Sequence, residues 1–337
     1  MKKYVIAIIF LLLLPSFSAE RMDESLECSS ATDEFFTPEN ITLKDDAFHV
    51  FPLHAETWYY ECFFDNDYSM VFIVTVLSNG RTGLALAGIY IYRNTHLEYS
   101  DRIFIPSPFF FASDKKPLIK IFGKEIINGD IDKEGNLYYN ILFENNGYGI
   151  SLTFINETRG WKGKMGRGWW LAVPKCKVRG TLVINDEKME VEGIGYHDHN
   201  IFHLYTPLVE RGYIDGKLLA EPSIVWGEIF HTRWNSDAFA VISYKGKYIS
   251  IPQKNITIKE DSYIYDHGRF IPTEVNFSFN VGNEMEGFLH VKAEDFHHIR
   301  LPLLWYWRYH VRVEGKIKIG KDEIEVNKIE MMELMIY

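Results

Sequence analysis

A period-two alternation of apolar and polar side chains recurs along the chain and limits what it can fold into. The alternating runs are rich in Val, Ile, Phe and Tyr, and sequences rich in Asn, Ser and Gly separate them. Clear examples are residues 70–77, 82–92, 149–155, 238–244 and 274–279. No amphipathic helix of normal length follows the N-terminal segment. Many short strands at regular spacing predict an all-β protein built as barrels or sandwiches.

One sequence pattern occurs twice in the chain. Residues 180–191 align with residues 315–326 without a gap, at a constant offset of 135 residues. The same offset pairs Asp198 with Glu333. Each copy predicts a hairpin, in which a polar turn joins two strands. The duplication predicts two homologous β-domains.

The two halves also open on similar sequences. Residues 58–63 resemble residues 225–230, and this alignment pairs Glu61 with Glu228. Both glutamates have aromatic neighbours, and desolvation among them would raise the carboxyl pKa and create a proton donor near neutral pH. The alternative is that both glutamates point outward from amphipathic strands.

The N-terminal segment predicts export. Two lysines precede an apolar run from Tyr4 to Leu14, and small residues follow up to Ala19, as in a secretory signal. The run is shorter than the ~20 residues of a membrane-spanning helix, but an uncleaved tether is an alternative to cleavage. We therefore predict a protein of the cell envelope or the extracellular space. Its predicted parts are a signal peptide (1–19), a polar linker (20–45) and two domains (46–205 and 206–337).

Composition narrows the class of ligand. A formal net charge of −10 argues against nucleic-acid binding, which needs a basic surface. Aromatic residues make up 15% of the chain, which suits wide sheets around an apolar ligand. Motifs for phosphate and dinucleotide binding are absent from the sequence, so no cofactor is predicted. The predicted partner is an apolar small molecule, and peripheral association with a membrane is a second hypothesis. A disulfide between Cys62 and Cys176 is permitted by the compartment but not indicated.

The most polar segment follows the first copy of the hairpin, at residues 196–200. Alternation puts His197 and His199 on one face of a strand, and Tyr196, Asp198 and Asn200 on the other. Counting from the preceding apolar residues turns the histidines inward. A bulge at either of the two preceding glycines would reverse this orientation.

Three hypotheses follow for this segment. Asp198 could orient an imidazole that acts as an acid or base. His197 and His199 could be two ligands of a metal ion, with Asp198, His203 or His231 as the third. The same side chains could also form a buried hydrogen-bond network at the junction of the domains.

Three motifs together resemble the carotenoid hydratase/AttH-like proteins, the group that includes hydroxyneurosporene synthase. They are Glu-x-Trp-Tyr-Tyr-Glu at 56–61, Gly-Ile-Gly-Tyr-His-Asp-His-Asn at 193–200, and Trp-Gly-Glu at 226–228. The resemblance covers roughly residues 54–337. It implies two tandem lipocalin-like β-domains that act on an apolar, polyene-like substrate. Members of the group add water across an isoprenoid double bond, and relatives include cyclases and Diels–Alder-type enzymes.

The resemblance also implies roles for particular residues. His199 matches the family histidine, Glu228 the downstream acid that donates a proton, and Asp198 would help His199 to manage the water. Ile201 stands where the family usually has a tryptophan. The predicted ligand-binding residues are Trp58, Tyr60, Glu61, Trp170, Tyr196, His197, Asn200 and Trp226. The leading hypothesis is hydration or cyclisation of an isoprenoid or polyene lipid. The alternatives are a non-catalytic carrier of an apolar ligand and, third, a metal site.

Overall fold

The computed structural model is almost entirely β-structure over the part of the chain that it describes. The described residues are 36–37, 41–158, 160–165, 168–232, 235–301 and 304–337. The predicted signal peptide and most of the predicted linker lie outside them. Strands make up 75% of the structure, so the predicted all-β class is confirmed. Its helices are single turns at Ser107–Phe109, Thr206–Val209 and Gln253–Asn255. Within the described residues, no helix is both long enough and apolar enough to cross a membrane.

The first sheet contains thirteen strands and curls into a nearly closed barrel. Its main path runs β5-β4-β3-β2-β13-β12-β10-β9-β8-β7-β6, and β11 pairs with both β12 and β1. The strands are β1 (Phe36–Thr37), β2 (Pro52–Phe64), β3 (Tyr68–Asn79), β4 (Gly83–Arg93), β5 (His96–Ile105), β6 (Phe110–Ala112), β7 (Leu118–Ile121), β8 (Lys124–Ile131), β9 (Leu137–Asn145), β10 (Tyr148–Asn156), β11 (Trp161–Met165), β12 (Gly168–Ile184) and β13 (Glu187–His203).

The second sheet contains nine strands in the order β17-β16-β15-β14-β22-β21-β20-β19-β18. They are β14 (Gly212–Leu218), β15 (Ser223–Phe230), β16 (Ser236–Tyr244), β17 (Lys247–Ile251), β18 (Ile256–Asp266), β19 (Arg269–Val281), β20 (Met285–Leu301), β21 (Leu304–Ile319) and β22 (Asp322–Ile336). The chain changes sheet between His203 and Gly212, close to the predicted domain boundary. Whether the two parts are homologous domains stays a prediction.

The duplicated hairpins form as predicted. β12 and β13 are joined at Asn185-Asp186, and β21 and β22 at Gly320-Lys321. In each sheet this hairpin pairs with the strand that opens that half of the chain, β2 in the first and β14 in the second. The alignment of residues 58–63 with 225–230 was therefore wrong. β15, which contains Glu228, lies one strand further from the hairpin than β2 does.

The first glycine of each repeated hairpin is required by the backbone. Gly180 and Gly315 have φ of +146° and +156°, and a Cβ at either would lie about 2 Å from a carbonyl oxygen of the neighbouring strand. We expect Gly315→Ala to lower the free energy of unfolding by about 2 kcal/mol or more, measured by urea denaturation. Gly246→Ala is the control, because Gly246 also has positive φ but has open space around it. Equal losses in the two variants would contradict the close-approach argument.

Apolar side chains form three separate clusters. One fills the barrel of the first sheet and another lines the interior of the second. The third lies between the two sheets, where their outer faces pack together, and includes Tyr59, Tyr90, Trp170, Tyr196, Phe239 and Tyr306. Ile41, which lies near the end of the predicted linker, packs in the first cluster. Cys62 and Cys176 are buried free thiols, each paired in register with Gly195, and they form no disulfide.

Candidate functional site

Strand β13 sends its polar side chains to two different places. Its pairing with β2 runs from Gly193 to His203 without a register shift, so no bulge interrupts the alternation. His197 and His199 point into the barrel of the first sheet, as counting from the apolar residues suggested. Tyr196 and Asp198 point into the layer between the sheets. The polar segment therefore contributes to two sites, one on each side of the same strand.

On the barrel side, a buried aspartate lies between the two histidines. His197 Nε2 lies 3.0 Å from Asp46 Oδ2, and His199 Nδ1 lies 3.0 Å from Asp46 Oδ1. His197 Nδ1 donates to the backbone carbonyl of Tyr59 at 2.9 Å. Both ring nitrogens of His197 thus face oxygen atoms of the protein, and one of them is used by a backbone carbonyl.

A second buried carboxylate, Glu56, is surrounded by three imidazoles. His199 Nε2 donates to Glu56 Oε1 at 2.7 Å, and His49 Nδ1 donates to the same oxygen at 2.9 Å. His54 Nε2 donates to Glu56 Oε2 at 3.0 Å. We call Asp46, His49, His54, Glu56, His197 and His199 the histidine cluster. Its members come from β2, from the segment just before β2, and from β13.

The electrostatics of the histidine cluster favours ionised carboxylates beside a protonated imidazole. Burial opposes ionisation of Asp46 and Glu56, but the imidazoles beside them outweigh it and hold the pKa of both carboxyls below the ordinary range. Burial also opposes a charged His199, yet its contacts with the two carboxylates raise its pKa to about 9. His199 is therefore an imidazolium at neutral pH, between two carboxylates.

Aromatic rings hold the histidines in place. Trp58 stacks on His199 with ring centroids 4.6 Å apart, and Tyr60 stacks on His197 at 4.1 Å. The Trp58 indole donates to the backbone carbonyl of Asp46 at 3.1 Å. Trp58 and Tyr60, predicted as ligand-binding residues, thus contact the histidine cluster. They occupy these positions because they lie opposite His199 and His197 in the register of β2 and β13.

On the other side of β13, charged side chains from both sheets are buried together. We call this group the inter-sheet layer: Tyr59, Glu61, Tyr196, Asp198, Asp215, Lys217, Tyr306, Arg308 and Glu333. Glu61, which lies opposite Tyr196 on β2, is completely buried. The alternative in which it points into solvent is wrong. Asp198 and Glu333, which the repeat pairs, both belong to this layer.

Lys217 is the cation that Glu61 and Asp215 share. Its Nζ lies 3.4 Å from Glu61 Oε2 and 3.6 Å from Asp215 Oδ2. It also lies over the rings of Tyr59 and Tyr196, 5.2 and 4.9 Å from their centroids. The carboxylates hold the pKa of Lys217 above its ordinary value although burial opposes this, so Lys217 is charged.

Arg308 is the second cation of the layer and binds across it. Its Nε donates to Glu333 Oε1 at 2.9 Å, and its NH2 group donates to the Tyr306 hydroxyl at 2.9 Å. Its NH1 group donates to the hydroxyl of Tyr92, which belongs to the first sheet, at 3.3 Å. The side chain thus ties β4 of the first sheet to β21 and β22 of the second.

The acids of the inter-sheet layer differ in their pKa values. Burial raises the pKa of Glu61, as expected from its aromatic neighbours, and raises that of Asp198 well above its ordinary value. Burial also raises the pKa of Asp215 to about 7, with Lys217 opposing the shift. Burial opposes ionisation of Glu333 too, but Arg308 outweighs it and lowers that pKa. Glu61, Asp198 and Asp215 therefore hold a proton more strongly than an ordinary carboxyl does, and Glu333 holds it less strongly.

The structure does not bring Glu228 to His199 or Asp198. Glu228 lies on β15 beside Trp226, and its carboxylate accepts a hydrogen bond from the Ser236 hydroxyl. Trp226 fills the interior of the second sheet, where it stacks on Phe277 at 5.2 Å. The proposed partnership of Glu228 with His199 is wrong in this structure, because the two side chains line the interiors of different sheets.

The remaining predicted residues divide between the two sites. Trp170 packs between the sheets with its ring edge on Phe239, 5.3 Å between centroids. Asn200 donates to Asp198 Oδ1 at 3.0 Å. Of the suggested third metal ligands, His231 binds Asp237 and His203 stacks on Tyr205, away from His197 and His199. The metal set built on His197 and His199 is thus not assembled.

Sequence reasoning missed two kinds of residue. Asp46, His49 and His54 precede or begin β2 without a recognisable spacing relative to the histidines of β13. Lys217 and Arg308 are basic residues whose neighbours in the strand are buried, and no motif in the sequence marks them. Strand pairing brings all five to the sites.

The fold of this chain is similar to the folds of several solved structures. No family model matches the sequence, and no curated protein matches it. Among solved structures, a candidate AttH protein of Nitrosomonas europaea has a TM-score of 0.61 at 11% identity, over 96% of this chain and 99% of that chain. Kievitone hydratase from Nectria haematococca has a TM-score of 0.57 at 12% identity, over 83% and 88%. CghA, solved with Sch210972, has a TM-score of 0.53 at 9% identity, over 90% of this chain and 98% of that chain. The chain thus has the lipocalin-like fold of AttH-type proteins.

Proposed function

We propose that this protein is an acid–base enzyme of the hydratase or cyclase kind, with Glu61 as its proton donor. Its substrate would be an apolar, unsaturated small molecule such as an isoprenoid or polyene lipid, as in the carotenoid hydratases. The shared fold supports this proposal, since one of the proteins that have it is named as a hydratase. The N-terminal segment supports a location outside the cytoplasm.

The observation that carries the proposal is an excess of buried acids over buried cations. Four carboxyls of the inter-sheet layer, those of Glu61, Asp198, Asp215 and Glu333, accompany only Lys217 and Arg308. Uncompensated charge is too costly to bury, so the excess acids are protonated. Arg308 pairs with Glu333, and Lys217 is shared by Glu61 and Asp215. A protonated carboxyl in an apolar, aromatic layer is a general acid.

Glu61 has the geometry of the donor. Its Oε2 accepts from the Tyr59 hydroxyl at 2.7 Å and faces Lys217, whereas its Oε1 is buried without a hydrogen-bond partner among the described residues. Asp215 Oδ1 is buried and unpartnered in the same way. Two such polar atoms near one ammonium are suited to a proton donor and a proton acceptor.

The reaction would proceed through a carbocation. The proton on Glu61 bonds to one alkene carbon, and the π electrons leave a cation on the other. The aromatic rings that line the layer would stabilise that charge. In hydration, water oxygen bonds to the cation and its proton passes to the Asp215 carboxylate. In cyclisation, a second double bond of the substrate takes the place of water, and a proton is then lost to Asp215. In both reactions the proton must pass from Asp215 back to Glu61 before the next turnover.

Deuterium incorporation from D₂O tests this proposal. Squalene and lycopene are suitable acyclic probes, and product mass spectra distinguish hydration from cyclisation. Glu61→Gln is expected to lower deuterium transfer to carbon by about 100-fold or more while binding, followed by tryptophan fluorescence, is kept. Glu192→Gln, an exposed glutamate on β13, is the matched control and is expected to react normally.

Two outcomes would reject the enzyme. Equal deuterium transfer by the Glu61→Gln variant and the unaltered protein would exclude Glu61 as the donor. Binding of both polyenes without turnover by the unaltered protein would identify it as a carrier of an apolar ligand instead.

A further inference from the structure

We propose that His49, Glu56 and His199 form a binding site for a divalent transition-metal ion of the Zn²⁺ class. The site lies on the barrel side of β13, opposite the inter-sheet layer. It is separate from the acid–base chemistry proposed above and does not depend on it. It also differs from the metal set suggested by the sequence, because His197 is not a member.

The three side chains converge on one point. Nδ1 of His49 and Nε2 of His199 both face Glu56 Oε1, at 2.9 and 2.7 Å, and the ligand atoms of the three residues lie within 4.8 Å of one another. Bonds of about 2.0–2.2 Å to a tetrahedral zinc ion separate neighbouring ligand atoms by about 3.4 Å. The ion would take the place of the protons that these two nitrogens direct at Glu56 Oε1, and its binding would release those protons to solvent.

The donor atoms select the class of metal. Two imidazole nitrogens and one carboxylate oxygen are a ligand set that Zn²⁺ uses, with the fourth position open to water. Mg²⁺ and Ca²⁺ prefer oxygen ligands throughout and would be bound poorly by two imidazoles. The site is thus expected to discriminate Zn²⁺ from both of these ions.

Neighbouring groups contact the proposed ligands and hold them in place. Asp46 Oδ1 lies 3.0 Å from His199 Nδ1, the nitrogen that faces away from Glu56. A carboxylate behind a metal-binding histidine fixes the ring and makes it a better ligand. His54 Nε2 holds the second oxygen of Glu56 at 3.0 Å. Trp58 stacks on His199 and restricts its rotation.

An ion can reach this site through His49. The His49 side chain is 33% exposed, whereas the side chains of Glu56 and His199 are fully buried. The ring of Trp169 lies 5.2 Å from that of His49 and 5.7 Å from that of His199. His49 is thus the ligand that an ion from solvent would meet first.

Calorimetric titration of the tag-free full chain with ZnCl₂ tests the proposal. One equivalent of Zn²⁺ is expected to bind, and MgCl₂ and CaCl₂ at the same concentration are expected to give no binding. His49→Ala should weaken Zn²⁺ binding by about 100-fold or more, since it removes a direct ligand. The backbone amide of His49 keeps its hydrogen bonds to Glu56 in this variant, so the fold should survive. Circular dichroism checks this.

The matched control is His203→Ala, since His203 is a partly exposed histidine of β13 outside the set. It should bind Zn²⁺ like the unaltered protein. Glu56→Gln is a second variant, with an expected loss of similar size. The proposal is overturned if the unaltered protein binds no Zn²⁺, or if His49→Ala binds it as tightly as His203→Ala does. Because no measurement here uses turnover, the result is independent of the function proposed for Glu61.

Discussion

Replacing Arg308 with methionine is expected to lower the free energy of unfolding by about 3–5 kcal/mol. Arg308 is 1% exposed and is the ion-pair partner of Glu333, which is 6% exposed. Without the guanidinium, Glu333 must either stay charged in an apolar layer or take up a proton. The hydroxyls of Tyr92 and Tyr306 lose a charged donor at the same time. The two sheets also lose a direct tie between them.

Urea denaturation at neutral pH measures this loss. The matched control is Arg312→Met on the same strand, because Arg312 pairs with Glu294 at 2.6 Å but both side chains are more than a third exposed. That exposed pair should contribute less than about 1 kcal/mol. The double variant Arg308→Met/Glu333→Leu should recover much of the loss, since it removes both charges. Losses of equal size for Arg308→Met and Arg312→Met would contradict the structure of the layer.

Replacing Glu330 with glutamine is expected to change how stability depends on pH. Glu330 is 3% exposed, and burial raises its pKa to about 8, although the Leu219 amide that donates to its Oε1 opposes the shift. Below about pH 4.5 the carboxyl is protonated in both the folded and the unfolded chain, and it costs nothing. As the pH rises towards 8, only the unfolded chain releases the proton, so stability falls. The full penalty, on the order of 5 kcal/mol, is present above pH 8.

Glutamine keeps the acceptor for Leu219 and never ionises. Glu330→Gln should therefore match the unaltered protein near pH 4.5 and exceed its free energy of unfolding by several kcal/mol at pH 8.5. Denaturation at both pH values measures the difference. Glu325→Gln, an exposed glutamate of the same strand, should leave both values unchanged. If Glu330→Gln gives the same shift at pH 4.5 as at pH 8.5, the raised pKa of Glu330 is wrong.

Several features of the fold could be predicted from the sequence because they depend on local patterns. Period-two alternation identified strands, and the repeat at a constant offset identified both hairpins. The separation of His197 and His199 from Tyr196 and Asp198 followed from the pleat, which puts neighbouring side chains on opposite faces. The aromatic neighbours of Glu61 suggested a raised pKa, but a side chain that points outward was an equally open alternative.

The composition of the sites could not be predicted in the same way. Asp46 and His49 meet His199 only because β2 and the segment before it lie beside β13, across about 150 residues of chain. Glu228 was assigned to the site by a short motif, and the strand order of the second sheet directed it elsewhere. A motif of three residues contains no information about which strand will be its neighbour.

The sequence by itself determined the all-β class, the two hairpins and the two-sided character of the segment at 196–200. These depend on the period of the strand and on turn residues, which act over a few positions. Only the tertiary structure decided which side faced the barrel, which carboxylates met the histidines, and that Lys217 and Arg308 share a buried layer with four acids. Those results depend on strand order and on the packing of one sheet against the other. The pKa of each buried acid depends in turn on that packing, because burial and the nearest cation together set the stability of its charge.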